Sequence, residues 1–263
     1  MPIVKVNGVN LNYRTDGEGE SLVLISGIGM ALREFNRQVP LFKRFYRVIR
    51  YDNRGAGKSD KPVTEYSIRD MADDTIGLLD HLGIERASFL GCSMGGLIAQ
   101  EVAITYPQRV AKLVLCSTFS RHDSESGLTP EALGLAGLPK VKYLMGLLSL
   151  VFNSPIRRGV AFVVRALTNS KASETGVNAQ AAASARHDAF ERLRLIKAPT
   201  LILVGAADRL IRPSSSEVLA REIPHARLAK INGGSHNMHV EKSEAFNAEV
   251  LSFLQEDDVV THG

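Results

Sequence analysis

Apolar and polar positions alternate through the first 20 residues, on either side of Asn7-Gly8. A period of two predicts β-strands, and an Asn-Gly pair between two such runs predicts a tight hairpin turn. A continuous apolar run follows at 22–25 and a second short strand is predicted at 47–51, and each is closed by a glycine-containing loop. Short runs of this kind are typical of strands that are buried on both faces of a sheet.

Helical and extended patterns then alternate along the chain. Gly83 and Pro107 stand where two of the helical patterns stop, as residues that end helices do. This order predicts a parallel sheet joined by right-handed helical crossovers. Strands are predicted at 87–90, 110–116, 200–204 and 227–231, and helices at 67–82, 94–106, 214–222 and 243–254.

The rhythm is interrupted between residues 119 and 197. Apolar segments with helical spacing, such as 141–152 and 160–167, follow one another there without a convincing strand. We therefore expect a helical cap at 119–197, inserted into a core domain made of 1–118 and 198–263. The expected fold class is α/β, with a mostly parallel sheet and helices on both of its faces.

Gly91-Cys92-Ser93-Met94-Gly95 lies between a predicted buried strand and an apolar helix. This is a G-x-S-x-G motif in the strand-turn-helix context that its chemistry requires. The glycines leave room for a sharp turn, which places the serine at the carboxyl end of the sheet. Ser93 is therefore the candidate nucleophile, and an ordinary helix-capping serine is the alternative.

A serine hydroxyl needs a general base, and the base needs an acid to orient it. Asp208 and His236 occur in loops that follow two successive predicted strands. The order serine, aspartate, histidine is the one that this motif requires. Asp52 and Asp123 are weaker candidates for the acid, because Asp52 belongs to a turn sequence and Asp123 lies well past its strand.

The oxyanion formed during attack on a carbonyl needs two backbone N–H donors. One donor is expected from the residue after the nucleophile, Met94, and the other from the loop Ser26-Gly27-Ile28-Gly29 after the first core strand. We assign the second donor to Ile28. The helix that begins after Ser93 also places its positive dipole end beside this position.

With these motifs the chain resembles an α/β-hydrolase over essentially its whole length, and is similar to small esterases and lactonases. Residues 51–59 and 240–247 carry further resemblance, the latter to 3-oxoadipate enol-lactonases and acyl-homoserine lactonases. The resemblance implies a carboxylic ester or lactone hydrolase that works through an acyl-enzyme. Many relatives have His-Gly in the oxyanion loop, where this chain has Ser26-Gly27.

Three other functions stay open on the same scaffold: a cofactor-free perhydrolase or haloperoxidase, a carbon–carbon bond hydrolase, and a non-catalytic binding module. The expected substrate is a small ester or lactone with an apolar portion, received partly by the cap. Pocket candidates are Phe119, Tyr143, Leu144, Leu147, Leu148 and His239, with Phe152, Phe162 and Val163 in the same apolar segments.

The composition and the remaining motifs reduce the number of function classes that are left. The 263 residues carry a net charge of only +4 and no tryptophan, which argues against nucleic acid as a partner. No histidine pair has the spacing of metal ligands, and the glycine motifs lack the residues that bind nucleotide phosphates, so no metal or cofactor is expected. Two cysteines in apolar runs and no long apolar segment favour a soluble, cytoplasmic protein without a membrane partner.

Overall fold

The computed structural model describes residues 2–155 and 171–256, and its centre is an eight-stranded sheet in the order β1-β2-β4-β3-β5-β6-β7-β8. From β3 onward every pairing is parallel, whereas β2 runs antiparallel to both β1 and β4. The strands are β1 Ile3–Val6, β2 Val9–Asp16, β3 Ser21–Ile25, β4 Arg47–Tyr51, β5 Ala87–Cys92, β6 Val110–Cys116, β7 Thr200–Gly205 and β8 Ala226–Ile231.

The N-terminal hairpin forms where the Asn-Gly pair predicts it. Asn7 has φ 45° and Gly8 has φ 79°, so both turn residues adopt left-handed backbone. Antiparallel pairing then carries β2 onto the edge of β4, from Tyr13 opposite Tyr51 to Asp16 opposite Val48. The sheet is therefore mostly parallel, as expected, with an antiparallel margin.

The predicted crossover helices form at their expected places. Ser67 caps the second helix through a reciprocal pair of hydrogen bonds with Asp70. In the described ranges, no helix is both long and apolar enough to cross a membrane. The helices are α1 Val39–Phe42, α2 Ile68–His81, α3 Met94–Thr105, α4 Pro130–Leu133, α5 Lys140–Val151, α6 Lys171–Ala185, α7 Pro213–Glu222, α8 Met238–Glu241 and α9 Ser243–Gln255.

Both faces of the sheet are buried by helices. Alternate strand residues such as Val23 and Phe89 belong to the cluster that contains α2 and α3. Their neighbours, such as Leu24 and Leu90, belong to a second cluster with α1 and α9. Burial on both faces explains why the core strands are continuously apolar, and it confirms the α/β class with helices on both sides.

Helices α4, α5 and α6 lie between β6 and β7, where this part of the described chain adds no strand to the sheet. Helix α6 packs on the loop after β4 with backbone against backbone, since a Cβ added at Gly176 would lie 1.9 Å from the carbonyl oxygen of Gly55. The predicted helix at 160–167, with Phe162 and Val163, falls outside the described residues. The cap limits 119 and 197 stay a prediction.

Candidate active site

Ser93 occupies a strained turn between β5 and α3. Its backbone has φ 54° and ψ −121°, a region that residues other than glycine rarely adopt. The flanking glycines are required by contact, because a Cβ at Gly91 would lie 2.2 Å from the carbonyl oxygen of Gly95. A Cβ at Gly95 would in turn lie 2.0 Å from the carbonyl oxygen of Ile25. The turn therefore presses against the end of β3.

Hydrogen bonds to the neighbouring strand hold this turn. The N–H of Ser93 donates to the carbonyl of Cys116 at 2.9 Å. The hydroxyl of Thr118 donates to the carbonyl of Ser93 at 2.8 Å, and the N–H of Gly96 donates to that carbonyl at the same distance. Because its backbone is fixed on both sides, Ser93 keeps the strained conformation and presents its side chain, which is partly exposed.

Asp208 and His236 meet in the loops after β7 and β8. Nδ1 of His236 lies 3.0 Å from Oδ2 of Asp208, and both side chains are buried. Oδ1 of Asp208 accepts the N–H groups of Leu210 at 2.9 Å and Ile211 at 3.0 Å. Burial alone would raise the pKa of Asp208, but His236 and these N–H donors outweigh it and lower that pKa below its usual value.

Ser93 follows β5, whereas the Asp208–His236 pair follows β7 and β8, so all three stand at the carboxyl ends of parallel strands. Across residues 2–155 and 171–256, no hydrogen bond joins Oγ of Ser93 to the imidazole of His236. Bonds between a nucleophile and its base are often long before substrate binds. The complete triad stays a prediction, and its acid–base half is formed.

The loop after β3 lies directly beside Ser93. A Cβ added at Gly27 would be 3.4 Å from Cβ of Ser93. The N–H of Gly27 donates to Glu34 at 3.0 Å, and the N–H of Gly29 donates to Gln180 at 2.7 Å. Within the described chain, the N–H of Ile28 between them makes no hydrogen bond.

Met94 is the first residue of α3, and its N–H is also without a hydrogen bond in the part of the chain that the structure describes. The two N–H groups that the sequence singles out, those of Met94 and Ile28, are thus both available in the described chain. This availability is what an oxyanion hole requires.

The other pocket candidates differ widely in exposure. Phe119 is buried, packs its ring 4.2 Å from that of His122, and accepts a hydrogen bond from Gln100 through its carbonyl. On α5, Leu148 is buried, Leu144 and Leu147 are half-buried, and Tyr143 is 44% exposed. Their place in a substrate pocket stays a prediction.

His239 is only 1% exposed and packs against the rings of Phe35 and Phe246. Its Nε2 lies 3.3 Å from Oε1 of Glu34, a partner that no sequence motif announces. The position of His239 in this buried cluster is a finding of the structure, and a role of His239 in the pocket stays a prediction.

The thiols of Cys92 and Cys116 and the imidazole of His239 form the one group of three possible metal ligands within the described residues, with ligand atoms within 4.8 Å of one another. Burial raises the pKa of the Cys92 thiol, and Cys116 and Glu34 raise it further. Metals bind the thiolate rather than the thiol. We therefore interpret the two cysteines, which face each other on β5 and β6, as core packing.

Asp52 and Asp123, the two weaker candidates for the catalytic acid, accept hydrogen bonds from backbone N–H groups of loops. Asp52 accepts the N–H of Leu32 at 2.7 Å and the N–H of Lys58 at 2.8 Å, as the turn interpretation predicts. Asp123 accepts N–H groups within its own turn and pairs with Arg121. Neither carboxylate contacts His236 in the described structure, whereas Asp208 does.

A strained serine after a central parallel strand, a buried aspartate–histidine pair at the same edge of the sheet and a free pair of N–H groups together define a hydrolase of the α/β class. The chain belongs to the alpha/beta hydrolase fold family, whose model matches residues 20–175. The resemblance drawn from the motifs is thus confirmed at the level of the family.

Individual relatives cover almost the whole chain. The chain is 31% identical to 3-oxoadipate enol-lactonase 2 of Acinetobacter baylyi, over 94% of each protein. It is similar to the structure of Est816, an N-acyl homoserine lactone degrading enzyme, with 30% identity, a TM-score of 0.85, and coverage of 96% of this chain and 100% of that one. A meta-cleavage product hydrolase from Pseudomonas fluorescens IP01 is 26% identical, with a TM-score of 0.85 over 97% of each chain. The chain is accordingly a hydrolase.

Proposed function

We propose that the chain is a serine hydrolase that cleaves a carboxylic ester or a lactone through an acyl-enzyme. The observation that carries the proposal is the buried hydrogen bond between Asp208 and His236, at the same edge of the sheet as the strained Ser93. An ionised carboxylate behind an imidazole is the arrangement that makes a serine hydroxyl reactive. The lowered pKa of Asp208 keeps that carboxylate ionised.

In the proposed first step, Oγ of Ser93 attacks the carbonyl carbon while its proton passes to Nε2 of His236. Nδ1 of His236 faces Asp208, so Nε2 is the nitrogen left for the serine. The tetrahedral oxyanion accepts hydrogen bonds from the N–H groups of Ile28 and Met94. Collapse of the intermediate breaks the carbon–oxygen bond, and the proton on His236 goes to the leaving alkoxide.

In the proposed second step, His236 takes a proton from a water molecule, whose oxygen attacks the acyl-enzyme. Collapse of this second tetrahedral intermediate breaks the bond between the acyl carbon and Oγ of Ser93, and His236 returns its proton to that oxygen, which releases a carboxylic acid and free Ser93. For a lactone the leaving alcohol stays tethered to the acyl group, so one hydroxy acid is released. The two lactone-degrading relatives and the apolar candidates Phe119 and Leu148 favour a lactone or ester with an apolar portion.

Ser93→Ala is the direct test. We expect its turnover of p-nitrophenyl acetate to fall by at least about 10³-fold, because removal of a triad member leaves only binding and the oxyanion hole. Ser88→Ala is the matched control, since Ser88 is a buried serine of β5, the strand before the turn, and lies away from the turn itself. Near-normal turnover in Ser93→Ala would overturn the assignment.

A substrate panel separates the chemistries. Short and long p-nitrophenyl esters, acyl-homoserine lactones, an enol-lactone and a meta-cleavage product should be compared by kcat/KM. The meta-cleavage product hydrolase among the relatives makes carbon–carbon bond cleavage the second candidate function. Highest kcat/KM on that substrate would replace ester hydrolysis by the second candidate, and peracid formation from acetate and peroxide would favour a perhydrolase. A protein that neither turns over these substrates nor reacts with a fluorophosphonate would be a binding module.

A further inference from the structure

Alternate peptide N–H groups of the loop after β3 donate hydrogen bonds to buried side chains. Oε2 of Glu34 accepts the N–H of Gly27 at 3.0 Å, and Oε1 of Gln180 accepts the N–H of Gly29 at 2.7 Å. The side chain of Glu34 is 4% exposed and Gln180 is fully buried. The N–H of Ile28 lies between these two restrained amides and is itself unbonded in the described chain.

We propose that Glu34 and Gln180 are positioning residues that hold the N–H of Ile28 toward the oxyanion. The inference rests on the proposed function, because it needs an oxyanion beside Ser93. Rotation of one peptide plane turns its neighbours, so fixing the amides on both sides restricts the one between them. An oxyanion hole works because its donors are already oriented when charge develops.

Glu34 contacts the loop through its carboxylate. A buried carboxylate is costly unless both oxygens are compensated. Here Oε2 accepts the N–H of Gly27, and Oε1 lies 3.3 Å from Nε2 of His239, close enough for electrostatic attraction although no hydrogen bond joins them. Glu34 also stands on a short 3-10 helix, Leu32–Phe35, whose first N–H donates to Asp52. Glu34 is therefore placed by an anchored element and accepts a hydrogen bond from Gly27, so it can restrain the loop.

Gln180 acts from the inserted segment. While its Oε1 accepts from Gly29, its Nε2 donates to the carbonyl of Arg54 at 2.7 Å. An amide with an N–H donor at its oxygen and a carbonyl at its nitrogen has one satisfied orientation. The close approach of Gly176 to Gly55 keeps α6 in place for this contact. A residue of the segment between β6 and β7 thus supports the core's oxyanion loop.

Loss of either restraint should lower kcat more than it changes KM. The N–H of Ile28 is needed most when the oxyanion is formed, so the bound ground state is affected less. Removal of a whole oxyanion donor costs about 10²–10³-fold in kcat. A donor that is present but less well oriented should cost less, about 10- to 100-fold.

The experiment compares Glu34→Leu, Glu34→Gln and Gln180→Leu with the wild type in the full chain. Steady-state kcat and KM for p-nitrophenyl acetate are measured, with Ki for an aryl trifluoromethyl ketone, which forms an oxyanion on the serine. We expect both leucine variants to lose about 10- to 100-fold in kcat and to weaken the ketone in parallel. Glu34→Gln keeps an acceptor for Gly27 and should stay within about threefold of the wild type.

Gln38→Leu is the matched control, because Gln38 is an equally buried amide that donates to the carbonyl of His239 and to Asn247 without touching the loop. It should lower stability and leave kcat unchanged. Unchanged kcat and Ki in the leucine variants, or a loss in Gln38→Leu as large as theirs, would overturn the proposal. If Glu34→Leu does not fold, Gln180→Leu decides by the same criteria.

Failure of the proposed function and failure of the positioning role give different results. A wild type without turnover that depends on Ser93 would remove both proposals together. Turnover that depends on Ser93, combined with full activity in the leucine variants that fold, would remove only the positioning role.

Discussion

The strained backbone of Ser93 predicts that glycine is more stable than alanine at this position. Ser93→Gly and Ser93→Ala both remove the proposed nucleophile, so they can be compared without any contribution from activity. They differ in that only glycine adopts φ 54° with ψ −121° without a clash of Cβ. The hydrogen bonds that fix the turn all involve backbone atoms of Ser93 and persist in both variants.

The magnitude follows from two opposing terms. A residue other than glycine in a sparsely populated backbone region costs about 1–3 kcal/mol, and Ser93→Gly relieves this cost. Glycine loses more backbone entropy on folding, which offsets about 0.5–1 kcal/mol. The net expectation is that Ser93→Gly is about 1 kcal/mol more stable than Ser93→Ala. For a chain of this size this difference raises Tm by about 2–4 °C.

Urea unfolding followed by circular dichroism, with calorimetry for Tm, measures the difference. Ser88 is the control position: it lies in β5, the strand before the turn, and is not among the residues with positive φ. There, glycine should be less stable than alanine by about 0.5–1 kcal/mol. If glycine is the less stable of the two at position 93 as well, the strain argument for this turn is wrong.

Three further predictions concern stability. Asp74→Asn should cost about 3–5 kcal/mol in urea unfolding, because it removes one of the two oxygens that accept 2.6 Å hydrogen bonds from Arg54 and leaves the buried guanidinium without its counter-charge; a cost under 1 kcal/mol would contradict this. Gly95→Ala should cost about 3 kcal/mol or more and abolish fluorophosphonate labelling, since the new Cβ would lie 2.0 Å from the carbonyl oxygen of Ile25; normal labelling would show that the turn adapts. Burial lowers the pKa of His187 to about 4. Between about pH 6.5 and 4 the unfolded chain therefore binds a proton that the folded chain does not, and the free energy of unfolding decreases as the pH is lowered. His187→Gln should therefore lose about 2–3 kcal/mol less than the wild type between pH 7 and 4.5, and equal losses would contradict the assignment.

Much of the fold was predictable because its strands are buried on both faces. Observed strands such as β4 and β6 have the predicted bounds, and most crossover helices agree within a residue or two. The position of β4 between β2 and β3 was not predictable, since it depends on pairing between distant segments. The short helices α1 and α8 were also missed, because one helical turn carries no periodic signal.

Some residues of the candidate site were predictable from the sequence and others were not. Ser93, Asp208 and His236 carry local signals, because each follows a strand in a glycine-containing loop. Glu34 and Gln180 carry none, since a single polar residue in an amphipathic stretch resembles a solvent-exposed position. Their contacts with Gly27 and Gly29 exist only after the chain has folded, and Gln180 lies 151 residues from Gly29.

The backbone contact between Gly176 and Gly55 limits how this enzyme can be altered. A Cβ added at Gly176 would lie 1.9 Å from the carbonyl oxygen of Gly55, which leaves no room for a side chain. Helix α6 therefore cannot be redesigned at that point without displacing the core. Engineering of substrate range should leave this junction intact. Insertions and exchanges belong in α4 and the residues just before α5, where Leu133 and Leu138 are exposed and new side chains have space.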